Sequence, residues 1–188
     1  MKKRIAIFAS GNGSNFEALA VACQKGEIEA DVALCFTDHP EAYVVERARK
    51  LNVPVVALRL KDFPSKKYYE EAILKHLKEA GVDFIFLAGY MKIVGDMLLD
   101  EYRDKIVNIH PSLLPAFKGV DAIGQAMNYG VKVYGVTVHY VDNTLDGGKI
   151  ISQDSLHYEG TDREELEPMI HRLEHRLYVE TAARLMKK

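Results

Sequence analysis

Short β-rich runs alternate with helical patterns from Arg4 to His110, and that alternation leaves the chain few architectures. Arg4 to Ala9 reads as a buried strand, followed by a glycine-rich turn and a helix from about Asn15 to Lys25. Asp31 to Thr37 is a second strand, a helix covers Glu41 to Leu51, and Val55 to Leu58 is a short third strand. A further helix near Ser65 to Ala80 stops at Gly81, a C-cap residue. Val82 to Leu87 is the fourth strand, and an apolar stretch from Lys105 to Ile109 follows. Strands separated by helices imply right-handed βαβ units. The expected class is therefore α/β, a doubly wound, mostly parallel, Rossmann-like sheet.

The second half changes character. Gly119 to Gly130 carries a short helix, and Val131 to Val141 and Lys149 to Leu156 are two more β-rich runs. The loop Asn143-Thr-Leu-Asp-Gly-Gly148 between them predicts a late antiparallel pair. Thr161-Asp-Arg-Glu164 predicts a capping box opening a C-terminal helix, with Leu166, Ile170, Leu173 and Leu177 on its packing face. Pro168 should kink that helix or mark its real first turn. No repeat or linker interrupts the chain, so residues 1–188 read as one domain. Residues 1–100 form its nucleotide- and phosphate-binding half, and residues 101–188 its catalytic half.

At 188 residues, with 48% hydrophobic and 28% charged residues, the chain has enough apolar material for a full core. A formal charge of −2 argues against bulk attraction to nucleic acid. Cys23 and Cys35 have no metal-ligand spacing and are too few for a disulfide framework, which points to a reducing, cytoplasmic setting. The apolar run Ile5 to Ala9 is too short for a signal peptide or a membrane span.

Three segments carry chemistry. Asn108 and His110 stand two apart at a strand end, so a carboxamide and an imidazole project together, with Pro111 and Pro115 fixing the loop behind them. Ser10-Gly-Asn-Gly-Ser-Asn15 turns a first strand into a first helix, where free N–H groups and the helix dipole suit a phosphate. It lacks the Gly-Lys-Ser/Thr of a Walker loop, and Phe16 stands where a dinucleotide fingerprint needs its third glycine. A single-phosphate site and a plain tight turn both remain open, and Asp38 keeps a ribose-binding role in view. Asp146, before Gly147-Gly148, is either a simple Asp-Gly turn or a functional carboxylate, and only proximity to His110 separates the two. His171-Arg-Leu-Glu-His175 matches the H-x-x-E-H zinc pattern, but no third ligand is evident and Leu173 and Leu177 direct the stretch toward packing. His139, on a strand entering the Asp146 loop, is the other histidine of interest.

Together these segments resemble the folate-dependent formyltransferases, and among them the glycinamide ribonucleotide formyltransferases of purine synthesis. The resemblance rests on Gly-Asn-Gly-Ser-Asn (11–15), Leu-Ala-Gly-Tyr-Met-Lys-Ile (87–93), Asn-Ile-His-Pro-Ser-Leu-Leu-Pro (108–115), Val-His-Tyr-Val (138–141) and Leu-Asp-Gly-Gly (145–148), and covers essentially the whole chain. It implies a formyltransferase fold and 10-formyltetrahydrofolate as co-substrate, with no metal. Asn108, His110 and Asp146 match the family's catalytic trio. Gly13, Ser14 and Asn15 match its substrate-phosphate loop, and Glu174 its other substrate contacts. Lys66, Met91, Lys92, Ile93, Val94, Asn108, Asp142 and Asp146 fall on its folate-binding positions. Two departures matter. Lys66, followed by Lys67, replaces an arginine, giving a point charge without a fork. Asp121-Ala-Ile-Gly124 stands where relatives often carry histidines.

The expected partners are small molecules, for a monomer or a homodimer that contacts neither nucleic acid nor membrane. The tRNA-formylating and formyl-folate-hydrolysing relatives normally carry an extra domain. A non-catalytic nucleotide- or folate-binding module is the rival of another class.

Overall fold

A computed structural model describes residues 1–187; Lys188, with which the single-domain reading ends, lies outside the described residues. Among them, seven strands form one sheet: β1 (Lys3–Phe8), β2 (Ala30–Thr37), β3 (Val55–Ala57), β4 (Phe84–Leu87), β5 (Ile106–His110), β6 (Val133–Tyr140) and β7 (Ile150–His157). Their spatial order is β3-β2-β1-β4-β5-β6-β7. The first five run parallel, and β6 and β7 are antiparallel additions. The helices are α1 (Ser14–Gln24), α2 (Tyr43–Lys50), α3 (Lys66–Glu79), α4 (Asp96–Glu101), α5 (Ala122–Tyr129) and α6 (Arg163–Met186). The expected doubly wound sheet is present, with its late antiparallel strands and C-terminal helix.

Strand alternation sorts the core into two layers. Ile5 and Ile7 point into a cluster with α1, α2 and α6, while Ala6 and Phe8 face a second one with α3 and α4. Phe16, Leu19 and Tyr178 anchor the first layer; Phe36, Tyr69 and Leu77 anchor the second. A fully buried side chain of this size contributes about 1.5–3 kcal/mol. On β5, Val107 and Ile109 face the α6 layer, so Asn108 and His110 stand on the opposite face with Ile106.

Helix ends follow the local chemistry. Ser65 caps α3 by accepting from the Tyr68 amide. Gly81, with φ 64°, closes that helix as expected, its amide returning to the Lys78 carbonyl. The α6 cap is Asp162, whose carboxylate accepts from the Glu164 amide, so Thr161 does not cap; the expected box is replaced by a lone cap, because the Asp162 amide donates to the Tyr158 hydroxyl. Pro168 does not mark the first turn of α6, because the helix is continuous from Arg163 across it. Two elements lay beyond the periodicity: a 3-10 turn at Leu60–Asp62 and α4, both too short to establish a repeat. Among the described residues, no helix is long and apolar enough to cross a membrane.

Candidate active site

The sheet changes from parallel to antiparallel between β5 and β6, and that seam carries the first polar group. Asn108 pairs with His139 and His110 with Thr137 in register. His139 Nδ1 lies 2.9 Å from the Tyr140 carbonyl. A carbonyl only accepts, so Nδ1 carries the hydrogen and neutral Nε2 is an acceptor. Burial holds the His139 pKa below its ordinary value, which keeps it in that neutral form. Asn108 Nδ2, 3.3 Å from Nε2, therefore donates one hydrogen to His139, leaving its second hydrogen for a ligand oxygen.

His110 is fixed by the same logic. Its Nε2 donates to the Phe117 carbonyl at 2.8 Å, so in the neutral ring Nδ1 is left as the acceptor. Nδ1 faces Asp146 Oδ2 at 3.7 Å, with the two side chains only 8% and 12% exposed. Asp146, in the loop between β6 and β7, adopts a left-handed backbone (φ 48°) and accepts from the Gly119 amide at 2.8 Å. The carboxylate thus belongs beside the imidazole and is not a simple Asp-Gly turn.

The loop holding Phe117 and Gly119 is itself tethered. Thr137 Oγ1, fully buried, donates to the Ser112 carbonyl (2.7 Å) and accepts from Leu114 N (3.0 Å) and Gln153 Nε2 (3.0 Å). Gln153 also donates to the Leu114 carbonyl. One hydroxyl on β6 thereby sets the path of the chain after His110.

The glycine loop leaves β1 and meets two helices. Gly13, at φ 80°, caps α1, and a Cβ there would come within 2.5 Å of Val44 Cγ2. Val44 N donates to the Gly11 carbonyl, and Arg47 holds the Asn12 carbonyl and side chain while pairing with Glu17. Ser14 Oγ lies 3.1 Å from His175 Nε2 of α6. One residue earlier on α6, buried Glu174 accepts from His171 Nδ1 at 2.8 Å, and that bond raises the His171 pKa. Asn15 Oδ1 is buried without a hydrogen-bond partner, an acceptor that a ligand N–H or O–H would satisfy. Gly13, Ser14, Asn15 and Glu174 thus share one corner. In the zinc-like pattern, Glu174 and His175 are engaged with His171 and Ser14. Among the described residues, no three His, Cys, Asp or Glu side chains are grouped to hold a metal ion.

The segment after β4 forms the opposite wall. Met91 and Ile93 are 75% and 74% exposed, while Val94 is buried. Lys66 Nζ donates to the Ile93 carbonyl at 3.0 Å, and Glu70 Oε2, its pKa raised by burial, accepts from the Gly95 amide at 2.7 Å. A cleft of about 510 Å³ opens here, lined by Lys66, Lys67, Glu70, Ile93 and Val94, and reaching Asn143 of the β6–β7 loop. Asp142 in that loop accepts from the Thr144 hydroxyl and amide, which lowers its pKa. Lys92 reaches toward Asp38, 3.9 Å away.

Sequence reasoning located the trio, the glycine loop and the 91–94 segment, and flagged His139. It missed Thr137 and the backbone groups of Phe117 and Gly119. A threonine in a strand, or a main-chain atom in a loop, has no local pattern; its role exists only in contacts across the fold.

The family model described as formyl transferase matches residues 3–182. The chain is 47% identical over 185 residues to the phosphoribosylglycinamide formyltransferase of Bacillus subtilis (strain 168), covering 98% of this chain and 95% of that one. It is 40% identical over 177 residues to the trifunctional purine biosynthetic protein adenosine-3 of Drosophila pseudoobscura pseudoobscura, 93% of this chain but 13% of that protein. The crystal structure of glycinamide ribonucleotide transformylase 1 from Geobacillus kaustophilus superposes with a TM-score of 0.96 at 50% identity, covering 99% of this chain and 100% of that one. The chain belongs to the formyl transferase family.

Proposed function

We propose that this protein transfers the formyl group of 10-formyltetrahydrofolate to the amine of glycinamide ribonucleotide, giving formylglycinamide ribonucleotide and tetrahydrofolate. The observation that carries the reading is the 3.7 Å approach of Asp146 Oδ2 to His110 Nδ1 across 36 positions of sequence, in a chain of this family. The glycine loop suits the nucleotide's phosphate: the first amides of α1 and the Ser14 hydroxyl donate to it, and Glu174 takes a ribose hydroxyl. The folate lies along Met91 to Val94 and Asp142 to Asp146, with Lys66 and Lys67 near its acidic end.

The substrate amine attacks the formyl carbon and forms a tetrahedral adduct whose oxygen gains negative charge. The second amide hydrogen of Asn108 and a proton on His110 Nδ1 both stabilise that oxygen. One such donor is worth roughly 10²–10³ in rate. Collapse breaks the bond from carbon to folate N10, which needs a proton, while the former amine must lose one. His110 Nδ1 supplies the proton to N10, and water relays the proton lost by the amine back to Nδ1, which restores the starting imidazolium. Asp146 orients the ring and balances its charge. Positioned proton transfer of this kind adds about 10²–10⁴. These steps use neither a covalent nucleophile nor a metal.

The test is an absorbance assay for the folate product, run with and without glycinamide ribonucleotide. Signal that depends on the acceptor supports the transferase. Signal without the acceptor indicates a hydrolase. Binding of either ligand without product indicates a non-catalytic module.

A further inference from the structure

Behind both proposed binding segments lies a buried polar cluster that the reaction does not use. Ser10, the first residue of the glycine loop, is 8% exposed, and Asp38, just after β2, is 3% exposed. Ser10 Oγ donates to Asp38 Oδ1 at 2.6 Å and accepts from the Met91 amide at 2.9 Å. The Ser10 amide donates to the Gly89 carbonyl at 3.2 Å. The remaining Asp38 oxygen faces His39 Nε2 at 3.4 Å and Lys92 Nζ at 3.9 Å. The ends of β1, β2 and β4 therefore meet at one hydroxyl and one carboxylate. They do so where the strand order reverses on either side of β1, the crevice in which doubly wound sheets bind ligands.

We infer that Ser10 and Asp38 are positioning residues for the folate, holding the Met91 amide and the Lys92 side chain so that the 91–94 wall is preset before the co-substrate arrives. The inference rests on the folate reading of that segment. The hydroxyl is saturated within the protein, so it has no hydrogen to offer a ligand; its work is on the backbone of its neighbour. Met91 is the residue that needs it. Its side chain is 75% exposed and packing does little to hold it, whereas the Met91 amide is clamped to a buried group. A wall of exposed apolar side chains keeps one shape only if its main chain is fixed, and a preset wall spares the ligand the cost of ordering it. Lys92 contributes a second tie, its ammonium drawn toward the buried carboxylate.

The test compares binding of tetrahydrofolate and of glycinamide ribonucleotide by calorimetry, in the full chain and in S10A, D38A and D38N. S10A and D38A should each weaken tetrahydrofolate binding about tenfold, the scale of one lost hydrogen bond to a charged or buried partner. KM for 10-formyltetrahydrofolate should rise more than kcat falls. D38N keeps an acceptor for Ser10 Oγ and should stay within about threefold of the parent protein. Affinity for glycinamide ribonucleotide should change less than twofold in all three. Tetrahydrofolate binding within twofold of the parent in both S10A and D38A would overturn the inference. So would an equal loss of affinity for both ligands, which marks collapse of the sheet edge rather than loss of one wall. A parent protein that binds no tetrahydrofolate at all would instead overturn the functional reading.

Discussion

The Asn108 amide nitrogen faces His139 Nε2 at 3.3 Å across β5 and β6, and this contact decides which end of the carboxamide a ligand meets. A neutral His139 accepts there, so Asn108 presents hydrogens. A protonated His139 would donate there and turn the carbonyl oxygen of Asn108 inward, moving the amide nitrogen, and the hydrogen it aims at the ligand, out of position.

Activity should therefore fall at acid pH as His139 gains its proton. Burial places its folded pKa below the ordinary 6.5, so the neutral form contributes stability that is present above about pH 6.5 and lost as the pH falls through the folded value. NMR titration of the ring should show an Nδ1–H tautomer and a midpoint below 6.5. A midpoint above that value would refute the arrangement.

Replacing Asp146 with Asn should lower kcat by about 10²–10⁴ and leave the fold intact. Asn tolerates the left-handed backbone, and its carbonyl oxygen still accepts from Gly119. Thermal unfolding measured beside turnover separates the two effects, and near-parental turnover would remove Asp146 from the mechanism.

Thr137→Val keeps the shape of the side chain but strips a fully buried hydroxyl that makes three hydrogen bonds. The Leu114 amide and the Ser112 carbonyl lose their partner, at a cost of about 1–3 kcal/mol each when buried and unpaired. Urea unfolding should report that loss. kcat should fall as well, because the loop that fixes His110 through Phe117 is released. A drop in stability with unchanged kcat would confine Thr137 to a structural role.

Gly13→Ala should destabilise the protein by more than 1 kcal/mol, as estimated for a residue forced into a left-handed backbone. The added methyl also lies 2.9 Å from Val44 Cα, which is backbone and cannot swing aside. KM for glycinamide ribonucleotide should rise while KM for the folate changes little. Shortening Val44 to Ala removes Cγ2 yet leaves the backbone contact and the strain at φ 80°, so it should rescue only part of the loss.

Much of this architecture is written in local chemistry. Buried β-rich runs separated by amphipathic helices require parallel crossovers, and the Asn143–Gly148 loop requires an antiparallel return. Strand periodicity places Asn108 and His110 on one face, since residues two apart in a strand share a side. These features were legible because each depends on neighbours within a few residues. The α6 cap slipped from Thr161 to Asp162 because adjacent residues with equally good acceptors compete, and packing chooses between them. Helix α6 crosses Pro168 because Leu166, Ile170 and Leu173 bury the turns on both sides, outweighing the missing hydrogen bond. Asp146 stayed ambiguous in sequence for a different reason. Its role depends on a 3.7 Å approach to His110 that the β5–β6 pairing and the Gly119 amide create together. The same holds for Thr137, for His139 as partner of Asn108, and for Ser10 with Asp38. Identity and spacing determined which groups the chain owns; tertiary structure decided which of them meet, because proximity between distant residues comes from the cooperative packing of the whole sheet.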